Sequence, residues 1–242
     1  MPEFASKSLL VLAIDTCGSA GSVALGKVYG EETGLVEEIS SATGLEGRCS
    51  KVSVEVLGQI ELEGRTYSAR LVAAVGDLLG GYGVKLRDVG CMVAVNGPGS
   101  FTGVRVGLSA VKGFAMGAGI PVVAVSRLAV LAGKAKVSAA ALDAHRAEVF
   151  LRVDEREVLA GADELAEIAE PEYVAVCDEA SVELLSNAWP QTQLVRMDAP
   201  SASDALRQAA ASVLAANFVD HALLDGNYLR RSDAEIHFGA QV

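Results

Sequence analysis

Two separated stretches of this chain carry the same pattern: an apolar run that ends on an aspartate, a short loop, and a second apolar run. The first is LLVLAIDTCGSAGSVAL, around Asp15, and the second is VSAAALDAHRAEVFLRV, around Asp143. A run that is apolar at successive positions reads as a strand covered on both faces, and a short loop leading to another such run reads as a hairpin. The elements after each hairpin also correspond. In the first half, Leu9 to Ile14 and Ser22 to Val28 are strands, with a third inside Val52 to Leu62. Leu71, Val72, Val75, Leu78 and Leu79 then fall on a helical period that Gly80-Gly81 stops. Val89 to Val95 is a strand, Val104 to Met116 a helix, Pro121 to Val125 a strand and Arg127 to Ala132 a short helix. In the second half, strands are expected at Lys136 to Leu142, Ala147 to Val153 and Glu157 to Leu159. A helix from Asp163, a strand at Tyr173 to Cys177, a helix from Glu179, a strand near Gln193 to Arg196 and a helix from Ser203 to Asn217 come next. A repeated βββαβα order predicts an α/β protein of two similar lobes, residues 1–125 and 126–242, facing each other across a cleft.

Aspartates after a first strand commonly bind local backbone N–H groups. Asp15 and Asp143 stand at matching places in the two halves, which also makes them candidates to line the cleft, with Thr16 beside the first. The segment Asn96-Gly97-Pro98-Gly99-Ser100-Phe101-Thr102-Gly103 lies between a strand and a helix. Gly97 and Gly99 allow close backbone approach, Ser100 can cap the helix, and the exposed N–H groups could hold an anion. The segment has neither the G-K-[ST] ending nor the G-x-G-x-x-G spacing of nucleotide loops, so a structural turn is the simpler reading.

Composition removes several classes. The formal net charge of −11 disfavours autonomous binding of RNA or DNA, even though Arg65, Arg70, Lys85 and Arg87 fall in one region. Cys17, Cys49, Cys91 and Cys177 are scattered, without a C-x-x-C pair, and read as reduced thiols. The apolar run at Leu9 is cut by Asp15, and no long apolar stretch occurs after it. The expectation is a cytoplasmic protein that does not enter membranes. Neither H-E-x-x-H nor G-x-S-x-G is present, so peptidase chemistry has no support.

Together LAIDTCGSAGSVAL, RTYSARLVAAVGDLL, VNGPGSFTGVRVGLSAVKGFA, IPVVAVSRLAVLA, ALDAHRAEVF and NYLRRSDAEI span nearly the whole chain. In these strings the chain resembles the bacterial TsaB family, accessory subunits for threonylcarbamoyladenosine synthesis on tRNA. The resemblance implies an actin-like (ASKHA, ribonuclease H-like) fold. It also implies a non-catalytic subunit of the complex that modifies adenosine 37 of tRNAs reading codons that begin with A. Such a subunit pairs with a paralogous catalytic subunit, TsaD, helps recruit an ATPase, TsaE, and meets tRNA only through the complex. The catalytic paralogue is marked by an H-x-x-x-H pair that holds a metal. Here His145, His221 and His237 include no two at that spacing, so neither catalytic nor metal-ligating residues are expected. No cofactor of its own is expected either, with ATP and magnesium considered only at the interface of a complex.

In the family the partner surface is built from the two helices that correspond to residues 67–79 and 104–116. Candidate contacts are Leu71, Val75 and Leu78 on the first, and on the second the small-residue stripe Gly103, Gly107, Ala110 and Gly117. Such a stripe suits close approach by a partner helix or by an internal neighbour equally. Self-association through the same helices is expected when the partner is absent. Residues 31–50 form an excursion longer than the family's usual compact hairpin. A second class remains open: a small-molecule kinase or nucleotide hydrolase of this fold, with Asp15 and Asp143 around magnesium and ATP.

Overall fold

The computed structural model describes residues 7–32, 50–63 and 67–230. In the first lobe β1 (Lys7–Asp15), β2 (Gly21–Glu32) and β3 (Ser50–Leu62) form an antiparallel meander. Strands β4 (Cys91–Val95) and β5 (Val122–Val125) add in parallel on the other side of β1, giving the order β3-β2-β1-β4-β5. The second lobe repeats the arrangement with β6 (Ala139–Asp143), β7 (Val149–Val153), β8 (Arg156–Ala160), β9 (Tyr173–Val176) and β10 (Gln193–Arg196). Its order, β10-β9-β6-β7-β8, is the same topology read from the other edge. Most of the 31–50 excursion, and Cys49, Arg65 and His237, lie outside the described residues.

Among the described residues six α-helices connect and cover these sheets: α1 (Tyr67–Gly81), α2 (Phe101–Ala118), α3 (Arg127–Ala135), α4 (Ala162–Glu167), α5 (Glu179–Ala188) and α6 (Ala202–Leu214). Their starts are set by local chemistry. The hydroxyls of Ser100, Ser126 and Ser201 and the carboxylate of Asp178 accept backbone N–H bonds at the starts of α2, α3, α6 and α5, satisfying donors that a helix start leaves unpaired. The end of α2 is a left-handed glycine, Gly119, with φ of 68°.

Strand periodicity sorts the second lobe cleanly. Ala139, Ala141, Val149, Leu151, Val174 and Val176 pack with Leu165, Leu185 and Trp189 of the α4–α5 layer. The alternate residues Ala140, Leu142, Phe150 and Ala175 pack with Leu128, Leu131 and Ala132 of α3. Successive side chains of a strand point to opposite faces, so one short apolar run feeds both layers.

The last helix of each repeat leaves its own lobe. α3 belongs by sequence to the first repeat but packs on β6, β7 and β9, whereas α6 ends the second repeat and packs across β1 to β5. Ala202, Ala205, Leu206, Ala209, Ala210 and Val213 are part of the first lobe's core. A single boundary at 125/126 therefore does not match the packing: α6 and the segment after it return to the first lobe. The order of each repeat is also longer than βββαβα by one strand and one helix. On the first sheet, α6 lies over Ser22 and Gly26, where Ser22 Oγ accepts the N–H of Ala202. The opposite face is covered by α1 and α2, which touch each other.

The strand β2 runs beyond the expected end at Val28, to Glu32, paired with the start of β3. That extension carries Tyr29, Gly30 and two glutamates, a composition that gives no apolar period.

Candidate functional site

Asp15 and Asp143 end the first strands of the two sheets, and each does the same local work. Asp15 Oδ1 accepts the N–H of Cys17 at 2.8 Å, and Asp143 Oδ1 accepts the N–H of His145 at 2.7 Å. Both turns are therefore held by an aspartate bonding two residues ahead. The second oxygens differ. Asp143 Oδ2 faces Nδ1 of the exposed His145 at 2.9 Å, whereas Asp15 Oδ2 meets Nε of Arg127 at 3.4 Å inside the protein, with side-chain exposures of 2% and 10%. Burial is the largest single influence and works against the Arg127 charge, but its neighbours together, Asp15 foremost, outweigh it and raise the guanidinium above its usual range.

Between the lobes lies a cavity of about 980 Å³. Its walls include Gly18, Gly99, Ser100 and Phe101 from the first lobe, Arg127 from α3, and Asp143, His145 and Asp178 from the second. Of the candidate cleft residues, Gly99, Ser100 and Asp143 line it, whereas Gly97 is not part of its wall and Asp15 and Thr16 are buried, 2% and 1% exposed. Arg127 was not singled out by sequence reasoning. The available signal was an arginine directly after a helix-capping serine, in VSRLAVLA, next to leucines that must face inward.

Cys17 and Cys177 also border the cavity. Burial pushes both thiols up, Cys17 with the further repulsion of Asp15 and both opposed by Arg127, so they stay protonated beside the guanidinium. Among the described residues there is no group of three or more His, Cys, Asp or Glu side chains arranged to hold a metal ion. His221 is used structurally: its Nε2 lies 3.0 Å from the carbonyl oxygen of Ile120.

The glycine-rich turn is a packing device. Ser100 N–H donates to the carbonyl of Cys17 at 2.8 Å, and Arg127 N–H donates to the carbonyl of Gly97 at 2.7 Å. A Cβ on Gly99 would stand 2.2 Å from the carbonyl oxygen of Cys17, so only glycine lets the two loops meet. Thr16 Oγ1 donates to the carbonyl of Gly103 at 2.6 Å, and added Cβ atoms on Gly103 and Gly107 would lie 2.0 and 2.3 Å from Thr16 atoms. These two glycines therefore seat an internal neighbour.

The expected docking residues must be corrected accordingly. Leu71, Val75 and Leu78 are 1%, 3% and 5% exposed and belong to the first lobe's core, and Gly103 and Gly107 are covered by Thr16. The apolar stripe of an amphipathic helix faces its own sheet, which leaves the opposite side exposed. On that side α1 presents Val72, Gly76 and Gly80, and α2 presents Gly113, Met116 and Gly117, with Ala110 half-buried at its edge. Cβ atoms added at Gly76, Gly80, Gly113 and Gly117 would meet nothing within 4 Å. The missed signal was a Gly-x-x-x-Gly spacing on each helix, out of phase with the buried leucines.

The family described as "TsaD: tRNA N6-adenosine threonylcarbamoyltransferase" matches residues 57–196, more than half of the chain. The tRNA threonylcarbamoyladenosine biosynthesis protein TsaB of Haemophilus influenzae is 33% identical over 151 residues, 62% of this chain and 51% of that protein. Its namesake in Escherichia coli K12 is 33% identical over 144 residues, 55% of this chain and 60% of that protein. The solved structure of YeaZ from Pseudomonas aeruginosa superposes with a TM-score of 0.66 at 26% identity, covering 91% of this chain and all of that one.

The chain belongs to the TsaB family.

The matched regions span between half and three-fifths of these two curated TsaB relatives. With the YeaZ likeness, the two mixed sheets are an actin-like, ribonuclease H-like α/β fold. The TsaD family match begins inside β3 and ends at the last residue of β10, so it takes in α1, α2, the glycine-rich turn before α2 and the β6–β7 turn, but not the β1–β2 turn. Among the described residues no helix is long and apolar enough to cross a membrane.

Proposed function

We propose that this chain is a non-catalytic subunit of the machinery that makes threonylcarbamoyladenosine on tRNA, and that it pairs with the catalytic paralogue TsaD through the outward face of α1 and α2. The observation that carries the reading is that face. Val72 and Met116 are 60% and 69% exposed, and the glycines beside them leave both helix backbones open to close approach. Exposed apolar side chains around smooth helix backbones suit helix-on-helix docking at short interaxial distance.

In this reading the chain works in the cytoplasm and helps to recruit the ATPase TsaE. It meets tRNA only through the complex, as the net charge of −11 favours. It has no resident cofactor, and ATP with magnesium belongs to the interface of the complex. Without TsaD, the same face pairs two copies of the chain.

The alternative of a kinase or nucleotide hydrolase built on Asp15 and Asp143 conflicts with the use of Asp15. One of its oxygens is taken by the Cys17 N–H and the other faces Arg127.

The test mixes purified chain with TsaD and monitors the complex by gel filtration and calorimetry. The wild-type chain should form a one-to-one complex. Gly113→Trp should abolish it while the melting temperature of the isolated chain stays within about 2 °C, because open space surrounds that position. A complex that forms undiminished with Gly113→Trp and also with Gly76→Trp would overturn the proposed face.

A further inference from the structure

After α6 the chain crosses between the lobes once more. Leu224 is buried in the first lobe's core, and five residues later Leu229 packs against the second-lobe cluster formed by α3, β6, β7 and β9. Asn227, Tyr228, Leu229 and Arg230 line the interlobe cavity along this passage.

The segment is fastened to both lobes. On the first-lobe side Asn227 N–H donates to the carbonyl of Asn96 at 2.7 Å, and the rings of Tyr228 and Phe101 stand 5.2 Å apart, centroid to centroid. On the second-lobe side Asn227 Nδ2 donates to Glu157 Oε2 at 2.5 Å, and Arg230 pairs with Glu148. Glu157 is itself anchored: Oε1 accepts Ser126 Oγ at 2.6 Å and Arg152 Nη1 at 2.8 Å. Asn227 thus grips one lobe with its main chain and the other with its side chain.

These fastenings differ in kind from the passages at 125–127 and 197–201, which lead into α3 and α6, helices whose apolar faces are buried against the sheets. The strap is held by polar and part-exposed groups. Phe101 and Tyr228 are 40% and 39% exposed, and the side chains of Arg230 and Glu148 are 22% and 34% exposed. Such contacts are weak beside helix burial, so they can open while both lobes stay folded. Gly226 provides the bend. Tyr228 N–H donates to the carbonyl of Gly226 at 3.0 Å, and a Cβ at 226 would stand 2.6 Å from the Tyr228 ring. Phe101, with the Arg105 guanidinium 3.7 Å over its ring, lies on the exposed side of α2, so the aromatic fastening is reachable from outside the cavity.

We infer that residues 226–230 are a releasable latch. Fastened, they hold the two lobes together over the cavity. Unfastened, they let the lobes part about the passages into α3 and α6.

The experiment measures the distance between spin labels on the full chain by double electron–electron resonance. The labels sit at exposed Thr102, at the start of α2, and exposed Asp163, at the start of α4, as Thr102→Cys and Asp163→Cys with Cys49→Ser and Cys177→Ser in the background. Dilution with unlabelled chain restricts the reading to distances within one molecule. The latched chain should give one main distance. Asn227→Ala with Tyr228→Ala removes a hydrogen bond to a carboxylate and an aromatic pair, and should raise the population at longer distance by about tenfold with the circular dichroism unchanged. Gly226→Ala, which displaces the Tyr228 ring alone, should raise it by a smaller factor. An unchanged distance distribution in the double variant would overturn the inference. On the wild-type chain the Asn227 amide should exchange its hydrogen at least about tenfold faster than the amides of β4 and β6, which open only when a lobe unfolds. Equal protection would make the strap a fixed part of the core and overturn the inference too, and this comparison decides alone should the double variant fail to fold.

Discussion

Nε of Arg127 stands 3.4 Å from Oδ2 of Asp15, so the aspartate that ends β1 shares its charge with the residue that opens α3, 112 positions later. The pair is buried and ties the first lobe to the helix that serves the second.

Removing one member strands the other. Asp15→Ala leaves a guanidinium, nine-tenths buried, without its counter-charge, and is expected to cost about 3–5 kcal/mol of unfolding free energy. Arg127→Met together with Asp15→Ala should recover part of that loss, because the double variant leaves no stranded charge. Urea denaturation of the two single variants and the double variant measures the coupling. Strictly additive losses would show that the pair does not interact.

Two glycines of α2, six residues apart, should respond in opposite ways. Gly107 faces Thr16, whose Oγ1 would lie 2.3 Å from a new Cβ, whereas nothing lies within 4 Å of a Cβ on Gly113. Gly107→Ala is expected to destabilise by about 1–3 kcal/mol through overpacking. Gly113→Ala should stabilise by up to about 1 kcal/mol, since alanine is the better helix former. Thermal melts of the two variants give the sign directly, and equal shifts would contradict the seating of Thr16 on Gly107.

That contrast shows what the amino-acid pattern could and could not deliver. The period of Leu71, Val75 and Leu78 correctly announces a helix, but the same period decides that these leucines face the sheet. The proposed docking face is what remains after the core is satisfied, and Val72, Gly76, Gly113 and Met116 announce it only through a Gly-x-x-x-Gly spacing on each helix, weaker than the apolar period of the core. The hairpin aspartates were legible because local geometry binds them two residues ahead, in both lobes alike. Arg127 and the return of α6 to the first lobe depend on contacts between distant segments, Ala202 with Ser22 for example, and no local period encodes those. The stripe Gly103–Gly107 suited a partner or an internal neighbour equally, and only the position of Thr16 decides between them.

The chain's single tryptophan gives a direct view of the second lobe. Trp189 is 3% exposed, packs against the α4–α5 layer, and donates from Nε1 to the carbonyl of Leu165 at 3.1 Å. Leu185, fully buried in the same cluster, should cost about 2–5 kcal/mol when cut to alanine. Intrinsic fluorescence should report this as a lower denaturant midpoint with a red-shifted baseline only after unfolding. A red-shifted native spectrum in the wild-type chain would place the indole in water and contradict the packing.

Cys91 supplies a prediction about pH with a definite sign. It opens β4, an interior strand of the first sheet, and burial pushes its thiol from about 9 up to about 12. Above pH 9 the unfolded chain releases this proton while the folded chain keeps it, so the unfolded state binds fewer protons and stability falls as pH rises. The contribution is intact below pH 9. It declines between about 9 and 12 at up to about 1.4 kcal/mol per pH unit. Cys91→Ala removes the titrating group, and its alkaline stability profile should be flatter than that of the wild-type chain by that slope. Urea midpoints at pH 8, 9, 10 and 11 measure it, and because tyrosine and lysine titrations are common to both proteins they cancel in the difference. Parallel profiles for the two proteins would mean that the Cys91 thiol titrates alike in the folded and unfolded chains.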